Sequence, residues 1–285
     1  MKTDKPIEIS YFPGCSMKTS AKENNESLKE FFKKINITLV ELPDWNCCGS
    51  SSAHCVDSDL AHDLATRNLA IAPADKPLLV SCPSCTLRLK QAHLHTLHDP
   101  ELQQRFHEKW GKPFNKDLKI IHYFELLNSM DFQSLSKEIK KPLTGLKFVP
   151  YYGCMLARPP EMRHAENYHG LMESILTSLG ATPLDWGSGS RCCGTFLSVA
   201  KPEAITPIVN EIIQNGIDTG ADCLITACSM CQLNLEIRCN LKHQIPTLHF
   251  SEVLSLAMGT NKYKRWFPRH LVDPTPLLTR LGLIE

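Results

Sequence analysis

The sequence has no apolar run near the ~20 residues that a membrane-spanning helix requires. The longest stretches, such as Phe148 to Tyr152 and Val253 to Met258, stop far short. A bilayer span is therefore not expected. Nor does one sign of charge dominate: 31 Lys and Arg stand against 30 Asp and Glu, for a formal net charge of +1. That balance gives no electrostatic reason to expect nucleic acid or an anionic membrane as partner. No GxGxxG opens a helix, so no flavin or nicotinamide fingerprint is visible. The start, Met1-Lys2-Thr3-Asp4-Lys5, leads into Ile7 to Phe12 and is too short and polar for a signal-peptide core. A cytoplasmic location follows as the expectation, with any membrane association made through partners. At 285 residues and 42% hydrophobic, the chain is neither disordered nor collagen-like and can bury a core without covalent staples.

What the sequence does have is 13 cysteines. The odd count excludes a complete internal disulfide framework, and in a reducing compartment clustered cysteines read as metal ligands or redox groups. They fall into two sets with one internal order. Gly14-Cys15, Cys47-Cys48-Gly49 and Cys82-Pro83-Ser84-Cys85 are followed by Gly153-Cys154, Cys192-Cys193-Gly194 and Cys228-Ser229-Met230-Cys231. The neighbours repeat as well: Asp44-Trp45 answers Asp185-Trp186, and Leu78-Leu79-Val80-Ser81 answers Leu224-Ile225-Thr226-Ala227. A repeat of about 145 residues is domain-sized, which points to an internal duplication.

The coarse elements run in parallel. Strands are expected at Ile7 to Phe12, Ile37 to Leu42 and Pro77 to Ser81, and again at Lys147 to Tyr152, Thr182 to Leu184 and Asp222 to Ala227. Helical periodicity lies between them, carried by Leu28, Phe31, Phe32 and Ile35 in one half and Leu171, Ile175, Leu176 and Leu179 in the other. Further helices are expected over Leu60 to Ala72 and over Pro202 to Gly216, the latter stopping at its glycine. The expected fold is α/β: two pseudo-symmetric lobes, each a small parallel-sheet domain with a five-cysteine site where its strands end. The boundary is placed in Pro142-Leu143-Thr144-Gly145, giving domains 1–143 and 144–285, the second with an irregular tail from Gly259 whose aromatics pack onto the body or a partner. Gln91 to Ser136 shows no counterpart of equal length.

Thiolates at CxxC spacing suit zinc or an iron–sulfur cluster, and spacing alone does not choose. Adjacent cysteines are awkward for one tetrahedral ion because consecutive side chains diverge. Lys18, Arg158 and Arg191 flank the motifs as positive groups. Cys223 reads as a core residue and Cys239 as a free helical thiol, and Cys55 falls outside the first set, seven residues past Cys48. His93, His95, His98 and His107 read as a polar helix face, and His54 and His164 as proton-delivery candidates.

The doubled Cys…Cys-Cys-Gly…CxxC pattern, with Tyr151-Tyr152-Gly153-Cys154-Met155 and Cys231-Gln232-Leu233-Asn234, resembles the tandem cysteine-rich CCG domains of the heterodisulfide reductase B-subunit family. The resemblance spans nearly all of residues 7 to 250. It implies two non-cubane 4Fe-4S clusters, one on Cys15, Cys47, Cys48, Cys82 and Cys85, the other on Cys154, Cys192, Cys193, Cys228 and Cys231, with zinc in one lobe as the variant. The implied activity is that of an oxidoreductase acting on thiol or disulfide, a component that reduces a disulfide, or oxidises thiols in reverse, by one-electron steps. The implied partners are an iron–sulfur electron-transfer subunit, a flavoprotein and a small thiol, disulfide or lipoyl-carried substrate. The alternative is an electron-transfer subunit of a succinate or fumarate reductase linked to quinone. A purely structural metalloprotein is the third reading.

Overall fold

The computed structural model describes residues 6–132, 139–157 and 168–285. The chain forms two four-stranded sheets, all pairings parallel. The first orders its strands β2-β1-β3-β4, with β1 at Ile7–Phe12, β2 at Ile37–Glu41, β3 at Leu78–Val80 and β4 at Ile120–His122. The second orders them β6-β5-β7-β8, with β5 at Lys147–Tyr151, β6 at Thr182–Pro183, β7 at Cys223–Thr226 and β8 at Thr247–His249. The pseudo-symmetric α/β expectation is thus realised. The hearts of the central strands β3 and β7 are apolar because both faces of the sheet are covered: Leu78, Leu79, Val80, Leu224 and Ile225 are fully buried.

Registers repeat between the lobes. β1 pairs Ile7 with Ile37 on one side and Ser10 with Leu78 on the other; β5 pairs Lys147 with Thr182 and Phe148 with Cys223. In each sheet the order reverses beside the first strand. That switch point leaves a crevice at the carboxyl ends of β1 and β3, and of β5 and β7. Gly14-Cys15 and Cys82 leave one crevice, Gly153-Cys154 and Cys228 the other.

Several details depart from expectation. The fourth strands are not expected from the sequence: β4 lies in the unmatched stretch Gln91 to Ser136, and β8 in a stretch where the pattern places no strand. Each pairs through three residues and hands directly to a helix, Tyr123–Asn128 or Phe250–Ala257. Helix Pro202–Asp218 runs past Gly216. Gly216 is a packing residue, since a Cβ there would sit 3.1 Å from Leu224 and 3.3 Å from Ile245. The tail carries short helices at Tyr263–Trp266 and Thr275–Arg280, with Trp266 wholly buried.

The largest apolar cluster crosses between the lobes, joining Tyr11, Phe32, Leu79 and Phe124 to Phe148, Ile225, Phe250 and Trp266. Helix Lys22–Lys34 of the first lobe lies against helix Phe250–Ala257 of the second. Small hydroxyl residues allow the approach: Ser27 Oγ is 2.6 Å from Ser251 Oγ, and Ser255 Oγ donates to Ser27 O at 2.7 Å. Asn24 Nδ2 donates to Gln232 Oε1 at 2.6 Å beside them.

Candidate functional site

Each CxxC straddles a helix start. Cys82 precedes helix Pro83–His98 and Cys85 lies in its first turn; Cys228 and Cys231 take the same places in helix Ser229–Arg238. The first cysteine therefore meets free backbone N–H groups and the positive end of the helix. Gly14 (φ 77°) and Gly153 (φ 68°) bring the opposite loop against these turns. A Cβ would lie 3.0 Å from Cys85 Sγ in one case and 3.2 Å from Cys231 Sγ in the other, so glycine is required both for the torsion and for the approach.

The consecutive cysteines reach different partners. Cys48 is buried and its Sγ lies 3.2 Å from Cys85 Sγ; Cys47 is exposed, 3.6 Å from Cys15 Sγ. In the second lobe Cys193 Sγ is 3.7 Å from Cys231 Sγ, and Cys192 hydrogen-bonds Cys154. Side-chain amides hold the two loops: Asn68 Nδ2 donates to Asn46 O at 3.0 Å, and Asn234 Nδ2 donates to Cys193 O at 2.7 Å. The two sets approach one another at one point, where Cys82 and Cys228 lie close enough across the lobe interface to shift each other's thiol.

These contacts split the thiols into two kinds. Cys15, with Cys48, holds Cys47 far below an ordinary thiol. Cys228 and Cys85 do the same for Cys82 with help from the N–H groups of Cys85 and Ser84, and Cys231 for Cys193. Their partners move up: Cys15 and Cys154 through their bonds to Cys47 and Cys192, and Cys48, through Cys47, to about 12. The arrangement favours one thiolate beside one or more thiols.

A metal site needs several ligand atoms converging on one centre. Among the described residues, which include all ten motif cysteines, no three or more His, Cys, Asp or Glu side chains form a group that could hold a metal ion. The thiols instead face one another, Cys15 with Cys47, Cys48 with Cys85 and Cys193 with Cys231. The expected non-cubane 4Fe-4S clusters and the zinc variant are corrected on this ground. With them go the iron–sulfur and metal-binding descriptions, the cluster-based disulfide-reducing enzyme, and the iron–sulfur electron-transfer alternative linked to quinone. No helix among the described residues is long and apolar enough to cross a membrane.

The positive residues are not aimed at the thiols. Lys18 Nζ bonds Glu41 at 2.8 Å, and Arg191 forms a two-pronged bond to Glu211, one prong at 2.7 Å. Arg158 and His164 lie outside the described residues. His54 and Cys55 are exposed on a short helix, Ala53–Val56. Cys223 is buried in β7, as expected, whereas Cys239 sits just past its helix, half-buried. Of the histidine group, His93 points inward, its Nε2 3.0 Å from Asn115 O, while His95, His98 and His107 are exposed.

The residues the sequence reading missed are His122 and His249. Each ends a fourth strand and caps the next helix in a reciprocal box: His122 with Glu125, and His249 with Glu252. His122 Nε2 lies 3.1 Å from the carbonyl of Ser81, the residue before Cys82; His249 bonds Ser251 through Nδ1 at 2.7 Å, and its buried Nε2 has no hydrogen-bond partner among the described residues. Burial holds both imidazoles neutral, His249 pushed down to about 4 and His122 to about 3. The signal was present as a further repeat, Ile121-His122-Tyr123-Phe124-Glu125 against Leu248-His249-Phe250-Ser251-Glu252.

Comparison with known proteins agrees with this layout. The cysteine-rich domain family, CCG, matches residues 9–90 and 148–236. A curated relative, the 8-methylmenaquinol:fumarate reductase membrane anchor subunit of Wolinella succinogenes, is 28% identical over 281 residues, covering 95% of this chain and 99% of its own. The B subunit of the ferredoxin:CoB-CoM heterodisulfide reductase of Methanosarcina mazei is 26% identical over 293 residues, covering 96% and 97%. Among solved structures, a hypothetical protein from Helicobacter pylori superposes with a TM-score of 0.74 at 17% identity; the match covers 95% of this chain and 53% of that one, and shows the fold alone.

Proposed function

Because this chain belongs to the cysteine-rich CCG domain family, in the tandem arrangement of the heterodisulfide reductase B subunits, we propose that it is a redox component of a multi-protein assembly that carries reducing equivalents on its own thiols. The observation that carries this reading is the close approach of thiols within each matched set, Cys15 to Cys47, Cys48 to Cys85 and Cys193 to Cys231, with Cys82 and Cys228 as the neighbours that bring the two sets together across the lobes. Within these sets each thiolate has a thiol neighbour, the arrangement thiol–disulfide exchange needs. Closing one thiolate–thiol pair to a disulfide releases one proton and two electrons, and a flavoprotein partner is a suitable two-electron acceptor. Exchange at Cys82 and Cys228 then moves the disulfide from one lobe to the other without further oxidation. The names of the relatives, subunits of reductases, support membership of a multi-subunit assembly; the partners we propose within it are an iron–sulfur electron-transfer subunit and a flavoprotein.

The test is graded oxidation of anaerobically purified protein with disulfide mapping by mass spectrometry. Disulfides are expected within both sets in the parent. In Cys228→Ser, one equivalent of oxidant delivered through the exposed Cys15–Cys47 pair should stay in the first lobe. Stoichiometric iron or zinc in the purified protein, or free passage through Cys228→Ser, would overturn the reading.

A further inference from the structure

A cavity of about 430 Å³ opens at the carboxyl ends of β5 and β6 in the second lobe. Tyr152, His169, Glu173, Leu184, Asp185 and Trp186 line it. Tyr152 also borders the small space that holds Cys154 and Cys192, so the cavity adjoins the second thiol set. Its walls are fixed. The Tyr152 hydroxyl bonds Glu173 Oε2 and accepts the N–H groups of Gly170 at 2.9 Å and Met172 at 3.1 Å. The Trp186 indole N–H donates to Pro150 O at 2.9 Å, and His169 stacks on Tyr152 at 4.8 Å.

The charge is one-sided. Asp185 is exposed and has no hydrogen-bond or ion-pair partner among the described residues, and neither lysine nor arginine lines the space. Glu173 adds a second carboxylate. A concave space with aromatic and aliphatic walls and two carboxylates is complementary to an organic cation.

The first lobe shows what such a group would do there. Its tryptophan, Trp45, donates to Glu41 at 2.9 Å, and that carboxylate is answered by two lysines of the chain, Lys18 at 2.8 Å and Lys29 at 3.1 Å. Lys29 Nζ also lies 5.4 Å from the Tyr11 ring centroid. When Phe31, Phe32 and Ile35 are matched to Ile175, Leu176 and Leu179, the position of Lys29 falls on Glu173. The duplicated lobe therefore reverses the charge at the place where the first lobe supplies its own ammonium. We propose that the second-lobe cavity binds a small alkylammonium ligand, held between Glu173, Asp185 and the Tyr152 and Trp186 rings. The inference goes beyond the thiol reading and needs no thiol to react.

Isothermal titration calorimetry of the full chain with butylammonium, against butyrate as the anion of similar size, tests it. Saturable binding of butylammonium alone is expected, weakened about tenfold in Asp185→Asn or Glu173→Gln, of which the first alters only an exposed side chain. Glu173→Lys should abolish binding by supplying the ammonium internally. Equal binding of butyrate, no saturable binding of butylammonium, or parent-like affinity in both neutral variants would overturn the proposal. Because the readout is heat of binding, it can fail while the oxidation experiment succeeds, and the reverse.

Discussion

At the residue scale, two neighbouring cysteines reach different partners, and the chain uses that branching twice. Cys47 turns to Cys15 while Cys48 turns inward to Cys85, and Cys192 and Cys193 do the same. The spacing of the motifs made the grouping of all ten thiols legible. It could not show that Cys82 meets Cys228, because that contact depends on how the lobes dock. Nor could it show that the thiols face one another in pairs. The pairing has a consequence for reactivity: Cys47 is exposed and kept below an ordinary thiol by Cys15 and Cys48, whereas Cys15 is pushed up. Iodoacetamide at pH 6 should therefore modify Cys47 first, read by peptide mass spectrometry; Cys15 reacting ahead of it would reverse the assignment. The glycine beside this pair gives a second prediction. Gly14→Ala and Gly111→Ala both force alanine into the left-handed region, which costs about 1 kcal/mol. Only at Gly14 does the new methyl also press on a thiol, Cys85 Sγ at 3.0 Å, since nothing lies within 4 Å at Gly111. Urea denaturation should show Gly14→Ala losing clearly more than Gly111→Ala, by roughly 1–3 kcal/mol.

At the element scale, the strands that lead into cysteine motifs and the periodic helices announced themselves, and β4 and β8 did not. Three residues carry no period, and where β3 is equally short a cysteine motif marks its end; β4 and β8 have no such mark, and each is followed at once by a helix whose cap is a histidine, an uncommon choice. Their partner elements are built from charges whose balance the sequence also concealed. Helix Lys22–Lys34 presents Glu23, Glu26 and Glu30 to the tail, where Arg269 lies 3.4 Å from Glu26, Trp266 Nε1 donates to Glu26 at 3.2 Å and Lys262 bonds Glu30. Beneath them His270 sits between Glu236 at 2.8 Å and Glu252 at 3.0 Å. Burial opposes its charge, but Glu252 and Glu236 hold the imidazolium, raising it to about 11. Glu23 is raised to about 7, chiefly by burial, and its Oε2 has no hydrogen-bond partner. Both folded values lie above the unfolded ones, so both contributions are complete at low pH and decline as pH rises: Glu23 between about 4.5 and 7, His270 between about 6.5 and 11. Unfolding free energy should fall across pH 5 to 9. Glu23→Gln should remove the lower part of that slope and be the more stable protein at pH 8, by about 1–3 kcal/mol. An unchanged slope in that variant would show that Glu23 does not titrate in this range.

At the scale of the whole molecule, the duplication is plain in the sequence, but duplication alone describes two independent lobes. The structure differs because its largest core belongs to neither lobe: Phe32 and Phe124 from one side and Phe148, Phe250 and Trp266 from the other pack into a single cluster. Separate clusters flank it, one around Phe12 and Phe106 and one around Val149 and Ile212. The tail read as irregular closes this seam, since Trp266 is wholly buried and its indole reaches across to Glu26. A shared core ties the stability of each lobe to the presence of the other, so the two sheets should unfold together. Urea titrations followed by tryptophan fluorescence and by far-ultraviolet circular dichroism are expected to coincide in one transition. Trp266→Ala removes the largest side chain of the seam and should cost about 3–5 kcal/mol. It does so in a segment that touches neither set of thiols directly. If the lobes were instead held by their thiol contact alone, Trp266→Ala would leave the transition in place while Cys82→Ser split it in two. The shared core predicts the opposite: one transition in Cys82→Ser, and in Trp266→Ala a transition shifted to lower urea, with the two probes separating if the flanking clusters outlast the seam.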